Sequence, residues 1–288
     1  MRCDERFDFG KNWQQFLKVV DESRIQVAVD SLQAVLEVTD LRGKSFVDIG
    51  CGSGLFSLAA RRLGASVRSF DHDARSVACT TELKFRYRAD DAGWTIDHAS
   101  VLDANYLDTL GTFDVVYSWG VLHHTGAMWD AIENACRLVA SDGQLCISIY
   151  NDQGFWSRGW RLVKRTYQRL PIVLRPALVA ALGATMFTHR ATTTLLAMLL
   201  RLLTLRNPLV PAINWLRQSG PVKQRGMHGW YDLVDWVGGY PFEVAKPETV
   251  FNFCRRRGFT LTHLSTQGSG HGCNEFVFEH ISTARVRA

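Results

Sequence analysis

Short apolar runs punctuate the chain, and the stretches between them have helical spacing or turn chemistry. Five runs fall in the first half, at 45–49, 66–70, 94–98, 113–119 and 144–150. The fourth, FDVVYSW, and the fifth, QLCISIY, are almost uninterrupted, as strands covered on both faces should be. Strands alternating with helical patterns predict a parallel sheet with helices on both sides. Two further runs come late, at 259–265 and 274–280, on either side of the glycine-rich stretch 268–272. Only 8 residues separate them, too few for a helical crossover, so they should pair antiparallel. Ahead of the first strand, 7–40 reads as helical and amphipathic, with Trp13, Phe16, Leu17 and Val20 at helical spacing. The expectation is an α/β fold: a doubly wound, seven-stranded, mostly parallel sheet, its last strand antiparallel, with a helical insertion between strands five and six. The boundaries are an N-terminal helical cap at 1–40, a core at 41–152, an insertion at 153–240 and a return to the core at 241–288.

The first strand runs into Val47-Asp48-Ile49-Gly50-Cys51-Gly52-Ser53-Gly54 and then into an apolar helical pattern at Leu55, Phe56, Leu58 and Ala59. Glycines at this junction allow positive φ and let a ligand approach the backbone. Dinucleotide folds use a similar loop, but two details differ. The spacing is G-x-G-x-G, and Asp48 stands where it would repel a pyrophosphate. A ligand carrying an ammonium and a sulfonium and no phosphate, as S-adenosylmethionine does, favours an acid there. The second strand also ends in an acid, Asp71, placed to accept both hydroxyls of a ribose.

VDIGCGSG followed by SFDHD resembles the cofactor half of class I S-adenosylmethionine-dependent methyltransferases, and most closely the ubiquinone and polyprenyl-phenol O-methyltransferase group. The resemblance covers 41–150 and, less fully, the last thirty residues, and it implies the strand order of that fold. It implies that Asp48, Gly50, Cys51, Gly52 and Gly54 hold the methionine end of S-adenosylmethionine, with Trp13 closing over it from the N-terminal cap. Asp71 takes the ribose, and His72 beside it belongs to the same cofactor-binding set. Ser100, Val101 and Leu102, beyond strand three, flank the adenine, though the family often has an acid where Ser100 stands. Trp119 and Gly120, beyond strand four, face the departing sulfur. Ser-Trp-Gly-Val follows strand four in place of the Asn/Asp-Pro-Pro-Tyr/Phe of adenine and glutamine N-methyltransferases, which disfavours that class.

Methyl transfer is an in-line displacement, so alignment is the main requirement and no metal is intrinsically needed. A hydroxyl acceptor needs a base, and histidine suits that task. His123, His124 and His228 are the candidates, with Asp232 or Asp235 to orient them. His228, Asp232, Trp230, Trp236 and Tyr240 lie in an aromatic, glycine-rich stretch that reads as an acceptor wall. O-methylation of a small or lipidic acceptor is the leading expectation. N-methylation or sugar methylation of a soluble metabolite, a nucleic-acid methyltransferase, and a non-catalytic cofactor-binding protein are the alternatives.

Charge adds one more feature. The chain carries a net +5, yet 153–231 holds twelve Lys and Arg with no Asp or Glu. The same segment contains LPIVLRPALVAALGATMF and TTTLLAMLLRLLTL, with Pro171, Arg175, Pro176 and Arg201 dividing the apolar stretches below the length of a membrane span. A lid or homodimer surface, and a peripheral membrane contact through 153–225, are both compatible with this composition. A nucleic-acid groove is disfavoured, because stackable aromatics do not interleave with the charges after Tyr167. The seven cysteines are scattered without metal-ligand spacing, which points to a reducing compartment. The polar, acidic start lacks the pattern of a secretory signal. A cytoplasmic protein is expected, with a peripheral place at the inner membrane surface as the alternative.

Overall fold

The computed structural model describes residues 7–218, 229–268, 270 and 272–280. Strands β1 (Ser45–Ile49), β2 (Ser66–Asp71), β3 (Trp94–His98), β4 (Phe113–Trp119), β5 (Val139–Tyr150), β6 (Phe259–Ser265) and β7 (Cys273–His280) form one sheet, and α3 (Leu55–Arg62), α4 (Ala74–Arg88), α5 (Ala104–Asp108) and α6 (Met128–Arg137) connect the first five in turn. Its order is β3-β2-β1-β4-β5-β7-β6. The strands from β3 to β5 are parallel, and β7 runs antiparallel to both β5 and β6. The expected fold class is therefore the observed one.

Alternation along β1 builds two cores. Phe46 faces one cluster with Leu32, Leu58 and Tyr117. Val47 and Ile49 face the other, with Val116, Leu145 and Phe276. Because chain order reverses direction between β1 and β4, a crevice opens at their carboxyl ends, where such sheets bind ligands.

Three local readings change. The cap divides into α1 (Phe9–Phe16) and α2 (Glu22–Leu36): the chain turns extended at Val20, and Asp21 caps the second helix by accepting from the Arg24 amide at 2.9 Å. Strand β5 begins at Val139, five residues before the expected start. Its Ser-Asp-Gly segment looks like a turn, and Asp142 does adopt φ 59°, yet the ladder to β4 continues across a bulge. Bulges of this kind bend a strand without ending it.

The third change concerns the insertion, which carries α7 (Phe155–Arg169), α8 (Arg175–Leu203), α9 (Val210–Gln218) and α10 (Gly229–Gly238). The residues expected to divide its apolar stretches do not break α8. Pro176 sits in the first turn, where its missing N–H removes no helical bond. Arg201 sits in the last turn, where a cation suits the helix dipole. Ile172–Leu203 is thus long and apolar enough, by length and composition, to cross a membrane.

Phe278 is fully buried on β7 and stands opposite Leu145 and Leu261. Phe278→Ala is expected to cost about 3–5 kcal/mol in urea unfolding. A loss below about 1 kcal/mol would contradict a central position for β7.

Candidate active site

The loop after β1 is held from β2. The Gly50 and Cys51 amides donate to the Phe70 carbonyl at 2.8 and 3.2 Å. The Gly52 amide donates to one carboxylate oxygen of Asp71 at 3.0 Å, and the Asp73 amide to the other at 2.9 Å. Gly52 has φ 56°, and a Cβ there would stand 2.8 Å from the Trp13 indole nitrogen. A Cβ on Gly50 would meet Val121 at 2.4 Å. Side chains are therefore excluded at both positions, by backbone conformation and by space. Gly54 closes the loop as the cap of α3 (Leu55–Arg62).

Burial lifts the Asp71 carboxyl to about 6, against the pull of the two amide bonds, so it remains ionised at neutral pH. Each oxygen keeps acceptor capacity beyond its one amide, which fits a diol. Asp48 lies deeper. It accepts from Ser57 Oγ at 2.5 Å, Ser69 Oγ donates to Ser57 at 2.7 Å, and Trp94 Nε1 donates to Ser69 at 2.8 Å. Burial raises Asp48 to about 7, opposed by the Ser57 bond and reinforced by nearby Asp71. Its carboxylate faces α3 and not the open side of the loop, so it acts on a ligand through its field and through loop shape. Cys51 is buried, with its Sγ 3.2 Å from Thr80 Oγ1.

Helix α1 bridges this loop to the insertion. The Gly10 amide donates to Asp73 at 2.9 Å, and Asn12 Nδ2 donates to Asp235 on α10 at 2.8 Å. Trp13 covers Gly52, and the Phe9 ring stands 4.8 Å from that of His124.

The remaining expected cofactor residues line the same strand ends. Ser100 Oγ accepts from the Leu102 amide at 3.1 Å, which leaves its own proton to donate. Val101 is buried, and its carbonyl accepts from Asn134 at 2.8 Å. Leu102 is exposed. His72 is exposed too, and its carbonyl lies 2.9 Å from His98 Nε2. Trp119 is half-buried. The Gly120 amide donates to Ser148 Oγ at 2.8 Å, with open space where a Cβ would be.

His123 is fully buried against Tyr150, with ring centroids 3.9 Å apart. Neither of its ring nitrogens has a hydrogen-bond partner among the described residues. The Ser148 backbone approaches without reaching bonding geometry. Burial, with His124 and Lys164 adding, holds the imidazole neutral. His124 Nδ1 lies 2.6 Å from the Pro241 carbonyl, and burial pushes its pKa down to about 3. Asp232 stands on α10, one turn before Asp235. His228 lies outside the described residues.

Sequence reasoning counted Lys164 only as part of a basic run. It sits in the inward stripe of α7 with Ser157, Trp160, Tyr167 and Gln168, and that spacing was the available signal. Lys164 Nζ donates to the Trp236 carbonyl, and Gln168 Nε2 to the Gly238 carbonyl at 2.5 Å. Together they satisfy carbonyls that the end of α10 leaves without helical donors. The rings of Trp236, Phe242 and Tyr150 surround the Lys164 nitrogen at 4.7, 4.8 and 5.4 Å. Burial lowers Lys164 to about 7, against the pull of Asp235. Burial, with Asp232 adding, holds the Asp235 carboxyl well above its usual range. Two hollows of the surface, around Ser45 and Gly93 and around Gly111 and Leu138, lie at the opposite, amino ends of the strands and carry none of these groups.

A family model described as a methyltransferase domain matches residues 20–188, more than half of the chain. The chain belongs to the methyltransferase-domain family. Among curated members it is similar to a ubiquinone biosynthesis O-methyltransferase of Pseudomonas paraeruginosa, 30% identical over 116 residues, which are 40% of this chain and 48% of that one. A ubiquinone biosynthesis O-methyltransferase of Rhizobium leguminosarum bv. trifolii is 26% identical over 111 residues, 38% of this chain and 42% of that one. The chain thus spans about half the length of the curated relatives it matches. Among solved structures, magnesium protoporphyrin IX methyltransferase from Synechocystis PCC 6803 superposes with a TM-score of 0.52 at 15% identity, over 94% of this chain and 93% of that one. That likeness shows the class I methyltransferase fold.

Gly52→Ala should weaken S-adenosylhomocysteine binding at least tenfold in calorimetry, because the new Cβ meets Trp13 in a backbone conformation that disfavours it. Unchanged affinity would remove Gly52 from the site. Lys164 gives a pH signature. Its folded pKa lies below that of the unfolded chain, so between about pH 7 and about pH 10 the unfolded state binds the extra proton and stability rises with pH. The urea midpoint of the native protein, relative to Lys164→Met, should rise across this window. A constant difference would show that the amine is not forced toward neutrality.

Proposed function

We propose that this methyltransferase-domain protein transfers a methyl group from S-adenosylmethionine to a hydroxyl of an acceptor held beyond β4 and β5. The observation that carries the reading is the Asp71 carboxylate holding the Gly52 amide of the loop that leaves β1 at the topological switch point. S-adenosylmethionine supplies a methyl carbon already activated by its sulfonium. Asp71 accepts the ribose hydroxyls, Gly50 to Gly54 shape the methionine end, and Ser100 to Leu102 flank the adenine. Buried Asp48 and Asp71 make the crevice favourable for positive charge. Trp13 covers the loop and excludes water.

The acceptor lies against Tyr150, Trp236 and Phe242, whose rings pack together. These aromatic faces suit a planar or prenyl-bearing molecule. His123 is the first choice for receiving the hydroxyl proton, since its ring lies against Tyr150 and its nitrogens lack partners among the described residues. Lys164 is the second choice, because its amine is pushed toward neutrality close to it. The ubiquinone O-methyltransferases matched over 40% of the chain support oxygen as the methylated atom and a lipidic acceptor. An amine acceptor would need no such base.

Asp71→Ala should weaken S-adenosylhomocysteine binding by about 1.5–3 kcal/mol, the scale of lost hydrogen bonds to a charged group. Calorimetry showing the native affinity would remove the ribose assignment.

A further inference from the structure

The second half of α8 and all of α9 lie apart from both cores of the sheet. The inner side of this half of α8, at Thr194, Met198 and Arg201, is half-buried, and the Phe187 ring meets Trp215 of α9 at 5.4 Å. Its outer side is bare. Leu196, Leu199, Leu200 and Leu203 are more than half exposed, as are Leu205 and Leu209 in the connection, with Leu205 at 97%. Only 6% of the most apolar window of Ile172–Leu203 is buried. A helix this apolar is normally covered by a core or by lipid, and a bare patch of this extent marks an interaction surface.

Charge selects the occupant. Arg190 and Arg206 are exposed toward the two ends of the leucine stretch, and no Asp or Glu occurs anywhere from 153 to 231. An apolar strip flanked by cations and free of acids matches the boundary between acyl chains and anionic headgroups, with the arginine stems reaching back to the phosphates. Arg190 also lies 5.8 Å over the Trp215 ring, and tryptophan and arginine are residues of the membrane interface.

We propose that the α8–α9 hairpin docks this protein on an anionic phospholipid surface, lying along it with the leucine side immersed. The hairpin does not span. Helix α9 has nine residues, roughly 14 Å of rise against a hydrocarbon core of about 30 Å. The chain also returns through α10 to the body it left, where Asn12 and Lys164 hold that helix. The near end of α8 packs by Leu178, Val179 and Leu182 into a cluster with Val237 of α10 and Tyr167 of α7. Docking therefore sets the aromatic wall of the crevice at a fixed orientation to the lipid. The inference stands independently of the acceptor chosen above.

The test is flotation of the full chain with vesicles of phosphatidylcholine alone or mixed with phosphatidylglycerol, at low and high salt. The native protein should float with the mixed vesicles, and part of that binding should survive high salt. Leu196→Gln/Leu199→Gln/Leu203→Gln changes exposed positions without altering charge. It should lose at least tenfold in vesicle affinity while keeping its unfolding midpoint and its S-adenosylhomocysteine affinity. Arg190→Gln/Arg206→Gln should reduce the preference for phosphatidylglycerol. Absence of flotation, or equal flotation of the leucine variant, would overturn the proposal. So would a native dimer that the leucine variant dissolves, which would make a second copy the occupant, or association that resists alkaline carbonate, which would mean a span.

Discussion

The bond from the Gly52 amide to the Asp71 carboxylate is the constraint on which the candidate site depends. It joins the ends of two parallel strands through a loop whose conformation excludes side chains. Asp71 also takes the Asp73 amide, and Asp73 in turn takes the Gly10 amide of α1. One pair of carboxylates thus fixes the glycine loop, the start of the next helix and the cap that carries Trp13. Carboxylates accepting backbone amides form strong hydrogen bonds, and each Asp71 oxygen keeps acceptor capacity beyond its one amide.

The second determinant is the buried polar seam between α7 and α10. Lys164 and Gln168 close the carbonyls at the end of α10, and Asn12 ties the same helix to α1 through Asp235. Breaking such a network leaves charged or polar groups unsatisfied in a low-dielectric interior, which costs more than the bonds return when formed. The insertion is therefore anchored at its base, while its far end presents leucines outward. Polar anchoring near the crevice and apolar exposure away from it belong to one helical unit.

Much of this was legible in the sequence, because the signals were local. The strands at 45–49, 94–98, 113–119 and 259–265 declared themselves by apolar runs, and the loop by the positions of its glycines and acids. The candidate cofactor residues follow from these, since all but Trp13 sit within a few positions of a strand end. What escaped depended on position within an element or on distant partners. Pro176 reads as a breaker until its place in the first turn is known. Asp142 reads as a turn although the strand passes through it. Lys164 reads as a solvated charge, and only a carbonyl 72 positions away, with three rings from other elements, explains its burial. The serine chain that joins Asp48 to Trp94 likewise depends on side chains from three other elements.

The central claim is that the crevice beside Asp71 is a nucleoside site serving methyl transfer. Calorimetric titration of the purified protein with S-adenosylhomocysteine tests it most directly. Saturable one-to-one binding, competed by S-adenosylmethionine and not by NAD, is the expected result. A folded protein that gives no binding heat with S-adenosylhomocysteine, or that prefers the dinucleotide, would contradict the account.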